Sequence, residues 1–434
     1  MKSEKMNQTP TENKGFFYGW VIVGVSTLAL VVSNGLSIGG IPVFYKPMLA
    51  SLIENGSVAA DKAQSIIGTA AALTFLTAGI FSPVAGFLVQ KFKSRTMMIV
   101  GCGILGAGMA LYSRATSPTV VYLSHILLGI SLGFVGILVN TVLVSNWFRR
   151  KRGIALGIVL TGTSIGGVLI PLVATPLIAN FGWRSAMLAV SLIVWLILLP
   201  AVIFLVKNRP SEISVGTDGD AMTDETDAQR QSNLTGLTLR EAIKTSRFWI
   251  FSLCAALIFY PIFVPSQQFI LYLQTDRIGL TAQQAGYAQA ALFTTSICGK
   301  FLFGFLSDKF PPTRVILICC TTMFLATLVL LSLNAGNAFL FLIPFGLGYG
   351  GTFVLLQLLT AEYFGLKEFG KILGAITVIE TIGGAAGTII TSRIADAAGG
   401  DYTQAFFGVI ITTGLALLLV IVLNFMVKPQ EVKA

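Results

Sequence analysis

Stretches of about twenty apolar residues recur twelve times along this chain, at roughly 16-45, 65-89, 96-113, 119-145, 153-179, 185-206, 248-273, 284-306, 313-333, 337-361, 370-392 and 404-427. Each is long enough to cross the hydrocarbon core of a bilayer as a helix, which takes about 20 residues at about 1.5 Å of rise apiece. A helix is required there, because lipid offers nothing to satisfy the backbone amides and carbonyls of an open strand. Composition agrees, with 54% of 434 residues hydrophobic and 11% charged, against roughly 25% charged in a soluble domain. The sequence predicts an all-α membrane protein of twelve transmembrane helices.

The net charge of +10 does not mark a nucleic-acid binder, because the basic residues are scattered over short loops between the apolar runs. With both termini placed in the cytoplasm, 22 of the 29 Lys and Arg fall on the inner side, which is the positive-inside pattern of a multi-pass protein of the cell's inner (plasma) membrane. The first fifteen residues are polar and the run after them is long enough to span, so a retained helix is expected rather than a cleaved signal. The five cysteines lie in apolar runs without metal-ligand spacing. No phosphate-cradling loop and no base beside a nucleophile occurs, so no metal, cofactor or enzymatic site is expected.

The organisation predicted is a cytoplasmic tail (1-15), a six-helix bundle (16-206), a linker (207-247), a second six-helix bundle (248-427) and a second tail (428-434). The linker carries an acidic polar run, Thr217 to Asn233, then Leu237 to Lys244, which is patterned as an amphipathic helix against the inner face. The two bundles repeat each other. Gly86-Phe-Leu-Val-Gln-Lys-Phe92 recurs 218 positions later as Gly304-Phe-Leu-Ser-Asp-Lys-Phe310, and Gly129 and Gly133 recur 217 later as Gly346 and Gly350. Gly153, Gly157, Gly166 and Gly167 likewise become Gly370, Gly374, Gly383 and Gly384. The halves are thus expected to be pseudo-symmetric parallel repeats with a site at their interface. The glycines also have an ordinary role, since small residues let helices approach closely in lipid.

Two charged side chains, Lys300 and Glu380, fall inside apolar runs. An ionisable group there costs roughly 2.5–3.5 kcal/mol on insertion scales and commonly marks a ligand or proton path. Helical spacing puts Gln289, Phe293, Ser296, Lys300 and Gly304 on one face, and Thr377, Glu380, Gly384 and Gly387 on another. Both charges sit at similar depth, where they can meet or bracket one ligand. The alternatives are an inner-end lysine that snorkels to the surface and a neutral acid that hydrogen-bonds a neighbouring helix. His125 fits a packing histidine better than a functional one. Tyr260-Pro261 and Pro265 loosen the seventh span as a bending gate requires.

The segments from Gly86 and Gly304 resemble the loop signature of the major facilitator superfamily after its second and eighth helices, and the likeness covers essentially the whole chain. The second copy carries the signature acid, Asp308 beside Lys309; the first has Gln90 beside Lys91. Phe17-Tyr-Gly-Trp20, Asn146-Trp-Phe-Arg-Arg-Lys-Arg-Gly-Ile-Ala-Leu-Gly157 and Gly299-Lys300-Phe-Leu-Phe-Gly304 are similar to the branch holding monocarboxylate transporters and oxalate/formate exchangers.

The resemblance implies the twelve-helix major facilitator fold, with the first, fourth, seventh and tenth helices lining a central cavity. It makes Asn34, Asn140, Tyr260, Gln267 and Gln357 candidate substrate contacts. It places Lys300 where the branch keeps an arginine for the substrate carboxylate; a lysine grips as a point charge without the two-pronged fork. Lysines that relatives carry on the first and eleventh helices correspond here to Gly39 and Ile376, which argues against a doubly charged anion.

The expected function is secondary transport of a small organic anion, a monocarboxylate, by rocking of two halves in a monomer. Lys300 would bind the carboxylate and Glu380 would carry a proton in symport. The rivals are an anion exchanger or an exporter of amphiphilic compounds in which Lys300 and Glu380 pair, and a membrane sensor that binds without transport.

Overall fold

The computed structural model describes residues 17–148, 151–219, 235–365 and 367–426. The expected tails, most of the acidic run of the linker and the Gln90 side chain lie outside the described residues. Twelve crossings are present: α1 (Gly19–Gly39), α2 (Ala63–Lys91), α3 (Ser94–Ser113), α4 (Pro118–Trp147), α5 (152–181), α6 (183–205), α7 (Ser246–Leu273), α8 (Ala282–Lys309), α9 (Pro312–Ser332), α10 (Ala338–Phe364), α11 (Phe369–Ala397) and α12 (Thr403–Met426). Their outer faces carry exposed Leu196, Phe204, Phe339, Leu340 and Phe425, the apolar belt that a lipid-embedded bundle presents.

Helices α5 and α6 follow each other with no loop between them, and as a straight rod the 52 residues from Ile154 to Leu205 would reach about 78 Å, over twice the hydrocarbon thickness. Gly182 resolves the conflict. Its φ of 75° and ψ of 160° reverse the chain in a conformation that a side chain resists, and two spans result.

Three elements differ from the sequence expectation. The first span stops at Gly39, because a π-helical turn (Gly35–Gly39), Gly40 and the missing amide of Pro42 end it, and Tyr45–Glu54 folds as a separate short helix. Helix α4 is interrupted at Gly136, with φ −85° and ψ −157°. The amphipathic linker helix shrinks to Leu239–Ala242, closed by a Thr238/Glu241 capping box and pinned by Leu239 N donating to Glu368 Oε2 at 2.7 Å.

The sequence repeat reappears as a contact register. A methyl group at Gly129 would fall 1.9 Å from Thr77 Oγ1, and at Gly346 it would fall 1.9 Å from Thr295 Oγ1. These are the same α2–α4 and α8–α10 contacts, 217 and 218 residues apart. The halves meet along two interfaces, α2 on α11 and α8 on α5, which exchange under the repeat. In the first, Gly68 abuts Ser392 and Gly79 abuts Thr381; in the second, Gly286 abuts Thr175 and Ser296 faces Ser164. An offset of 218 turns Gly68 of α2 into Gly286 of α8, and one of 217 turns Thr175 and Ser164 of α5 into Ser392 and Thr381 of α11. The fold is therefore a pseudo-symmetric pair of six-helix halves.

Candidate transport site and gate

The site lies between the two interfaces. Lys300 is 8% exposed on α8, and its Nζ donates across to α5: to Leu160 O at 3.0 Å, Thr163 Oγ1 at 2.7 Å and Ser164 Oγ at 2.8 Å. An ammonium has three donors, so all three are taken. All three acceptors are neutral. Ser164 Oγ also lies 3.3 Å from Ser296 Oγ, and the Phe353 ring stands 5.9 Å from Nζ, at the limit of cation–π reach.

Glu380 is 6% exposed on α11, with Thr377 one turn back as its hydrogen-bonding neighbour. Its helix packs on α7 through Gly383 and Gly384 and on α2 through Thr381. By the repeat, Glu380 stands where α5 has Thr163. The two charges thus occupy different interfaces, and among the described residues no ion pair joins them. Aromatic rings fill the space between: Phe75 of α2 stacks on Phe263 of α7 at 3.6 Å, Phe263 meets Phe259, and Phe259 meets Phe353.

The two ends of the bundle differ. At the end opposite the termini, Tyr45 Oη donates to Gln267 Oε1 at 2.7 Å and Gln267 Nε2 donates to Ile38 O at 2.9 Å. Gln289 Nε2 reaches Ser266 O at 2.9 Å and Gly39 O at 3.4 Å, and Lys46 Nζ donates to Gln274 O at 3.2 Å. The last carbonyls of a helix have no partner within it. Here glutamines of the other half cap those of α1.

The first amides of α2 are treated likewise. Asp396 of α11 accepts from Gln64 N at 2.9 Å and Ser65 N at 2.6 Å, and Tyr402 Oη donates to Gln64 Oε1 at 2.8 Å. Among the described residues, no hydrogen bond joins the halves nearer the terminus-bearing end than Lys300. Side chains added there at Gly157 or Gly374 would meet nothing within 4 Å. The side-chain hydrogen bonds that join the halves are thus gathered from the depth of Lys300 to the end opposite the termini.

The remaining candidates separate by placement. Gln267 belongs to the closed gate. Asn34, 8% exposed, donates to Ser33 Oγ at 3.4 Å beside the π-helical turn. Asn140 does not face an open cavity: its Nδ2 donates to Val135 O and Gly136 O, both at 2.9 Å, and so holds the break in α4. Tyr260 is wedged in the seam between α11 and α12, against Gly387 and with its hydroxyl towards Gly408. A ring large enough to fill that seam points away from the centre. Gln357 is half-buried one turn past Phe353.

Gly86 and its repeat equivalent Gly304 pack towards Leu138 and Val354. Lys91 and Lys309 lie over the Phe92 and Phe305 rings, and Asp308 is exposed, with no ion-pair partner among the described residues. Among the described residues, the loop signature makes no ion pair between the halves. His125 packs as expected. Thr74 Oγ1 donates to His125 O at 3.1 Å and so accepts from Nδ1–H at 2.8 Å, while Nε2 faces Tyr112 Oη at 3.3 Å.

Sequence reasoning put Gln289 on the Lys300 face without a bonding role, gave Thr163 none beyond its repeat position, and did not single out Ser164, Tyr45, Gln64 or Asp396. The one available signal was the offset that equates Thr163 with Glu380. Their contacts across more than 100 residues leave no local pattern.

Two pseudo-symmetric helical halves, gated at one end around a buried polar centre, define a membrane transporter rather than an enzyme. The Major Facilitator Superfamily model matches residues 27–388 and, overlapping it, 266–434. The chain belongs to that superfamily. Among its relatives are the MFS transporter asaE of Aspergillus flavus, 28% identical over 78% of this chain and 73% of the relative, and Monocarboxylate transporter 13 of Bos taurus, 26% identical over 75% and 72%. The Agnestins efflux protein AgnL12 of Paecilomyces divaricatus is 23% identical over 77% and 72%.

Proposed function

We propose that this chain carries a small organic anion, a monocarboxylate, across the membrane by alternating access, with a proton moving in the same direction. The observation that supports it is the buried Lys300 ammonium, held by three neutral acceptors and by no acid among the described residues. Such a cation attracts a carboxylate strongly in a low-dielectric centre, and it grips one oxygen as a point charge. The Phe353, Tyr349 and Phe293 rings nearby offer an apolar wall to the rest of a small organic acid. The likeness to Monocarboxylate transporter 13 agrees with this substrate class.

Glu380 is the proton carrier in this scheme. A bare carboxylate is costly in a dry centre, so a proton that neutralises it lets the loaded site change sides. The terminus-bearing end faces the cytoplasm, at the plasma membrane, and the closed end faces outward. The halves are 16-206 and 248-427, joined by 207-247 and flanked by tails at 1-15 and 428-434, and one chain works as a monomer. Neither cofactor nor nucleic acid takes part.

The test is uptake of labelled lactate and pyruvate into proteoliposomes with and without an inward proton gradient. The gradient should accelerate uptake, and Lys300→Ala should abolish it; undiminished transport by that variant removes the carboxylate role. The second reading, exchange or export of a larger amphiphilic compound, is favoured by the Phe75–Phe263 stack and by the efflux relative. Counterflow indifferent to the proton gradient would support exchange, and protection of cells from a hydrophobic toxin would support export.

A further inference from the structure

We infer that Thr163 and Ser164 are resident competitors for Lys300: they hold its ammonium while the site is empty, and an arriving carboxylate displaces them. The inference rests on the anion reading above and adds how binding is tied to movement. Three features carry it. All three donors of the ammonium are occupied, so a carboxylate cannot bind it without releasing at least one acceptor. The two hydroxyls are neutral, so a negatively charged oxygen outbids them for a cation in a low-dielectric centre. They also come from α5, in the other half of the molecule from α8, so each displacement removes a bond between halves.

The geometry of the rest of the contact supports displacement over joint binding. Ser164 has a second neighbour in Ser296 Oγ at 3.3 Å, and Thr163 Oγ1 donates to Leu160 O at 2.9 Å, one turn back on its own helix. Each hydroxyl keeps a partner after Lys300 leaves. Neither becomes an orphan polar group, so release costs little. With the hydroxyls released, α5 and α8 lose two of their bonds at the depth of the site, where the halves must slide to change access, and keep only the Lys300 bond to Leu160 O and the Ser164–Ser296 contact. Thr163 and Ser164 are thus positioning residues that act through Lys300.

The repeat gives the competing group a second form. The position of Thr163 is filled in the other half by Glu380. A carboxylate at position 163 would face Lys300 permanently and stand in for the substrate. Nature has placed the acid on the interface that lacks the lysine and a hydroxyl on the interface that has it.

The experiment is equilibrium binding and uptake of lactate by the purified full chain, comparing wild type, Thr163→Ala/Ser164→Ala, Thr163→Ser and Thr163→Glu, with thermal unfolding as the folding control. Removing both competitors should lower the lactate Kd by about tenfold, the scale of a lost bond to a charged group. Thr163→Ser keeps a hydroxyl and should bind as wild type does. Thr163→Glu should lose lactate binding by more than about tenfold while remaining folded, as an internal ion pair forms. A Kd that rises in the double alanine variant would make the hydroxyls substrate ligands and overturn displacement, and an unchanged Kd would overturn it too. Loss of binding in Thr163→Ser would assign the threonine to packing instead. Full lactate binding by Lys300→Ala would overturn the anion reading itself, an outcome distinct from all of these.

Discussion

The α2–α11 and α5–α8 interfaces are two copies of one design that have come to do different things. Gly68 on Ser392 matches Gly286 on Thr175, and Thr381, which meets Gly79, matches Ser164, which faces Ser296 one position before the equivalent of Gly79. The chemistry differs at the equivalent positions 163 and 380. One interface holds a cation against hydroxyls, and α11 of the other carries an acid that pairs with no cation among the described residues. Their ends differ as well: α8 starts under its own capping box, Thr281 with Gln284, whereas α2 has no cap in its own half and takes Asp396 from the other. Close packing set by the duplicated backbone is common to both, and function sits where the copies have diverged.

Tightness should separate the interfaces most strongly. A methyl at Gly68 would fall 1.8 Å from Ser392 Oγ and 2.5 Å from Thr388 O, whereas at Gly286 it meets only Thr175 Oγ1 at 3.1 Å. Gly68→Ala should therefore destabilise the folded protein by about 1–3 kcal/mol, the usual range for overpacking, and Gly286→Ala by less than about 1. Thermal unfolding in detergent checks this, and equal losses would mean that the two interfaces are equally tight.

A smaller effect is expected at the caps. Asp396→Ala removes the partner of two α2 amides and should weaken the closed gate by about 1 kcal/mol, raising the gate-open fraction several-fold. Spin-label distances between positions 62 and 397 read that fraction. Thr281→Ala removes a cap of similar worth within one half and should leave those distances unchanged.

The smallest effect belongs to the exposed Arg277–Asp401 pair at 3.5 Å. Desolvation pushes the Asp401 carboxyl up, but hydrogen bonds from Thr403 and the Arg277 charge outweigh it and hold it below the ordinary aspartate range. A lowered folded-state value means that the contribution is present above the unfolded range and is lost as pH falls through the depressed one. Arg277→Ala should cost no more than about 1 kcal/mol near neutral pH.

The spans and the repeat were legible in the sequence because both are periodic, and the 217–218 offset paired the glycines that take equivalent places in the two halves. Lys300 and Glu380 stood out because a charge in an apolar run is conspicuous. What the charges touch was not legible. Spacing allowed them to meet, but the repeat axis sends equivalent helices to opposite interfaces, and the partners of Lys300 come from a helix 136 to 140 positions earlier. The surroundings of Asn140 and Tyr260 were not legible for a related reason. A polar side chain on a cavity-lining helix can spend its bonds on its own backbone, as Asn140 does at the Gly136 break, or face a neighbour, as Tyr260 does. Asp396 was hidden because a helix end shows its need for a cap only when its surroundings are known.

The central claim is that the two interfaces divide the work, with Lys300 binding the anion and Glu380 carrying the proton. The direct measurement is labelled lactate flux in proteoliposomes containing Glu380→Gln, read both as equilibrium exchange and as accumulation driven by a proton gradient. The account predicts that exchange continues near the wild-type rate while gradient-driven accumulation disappears. Accumulation equal to that of the wild type, or loss of exchange in a folded variant, would contradict it.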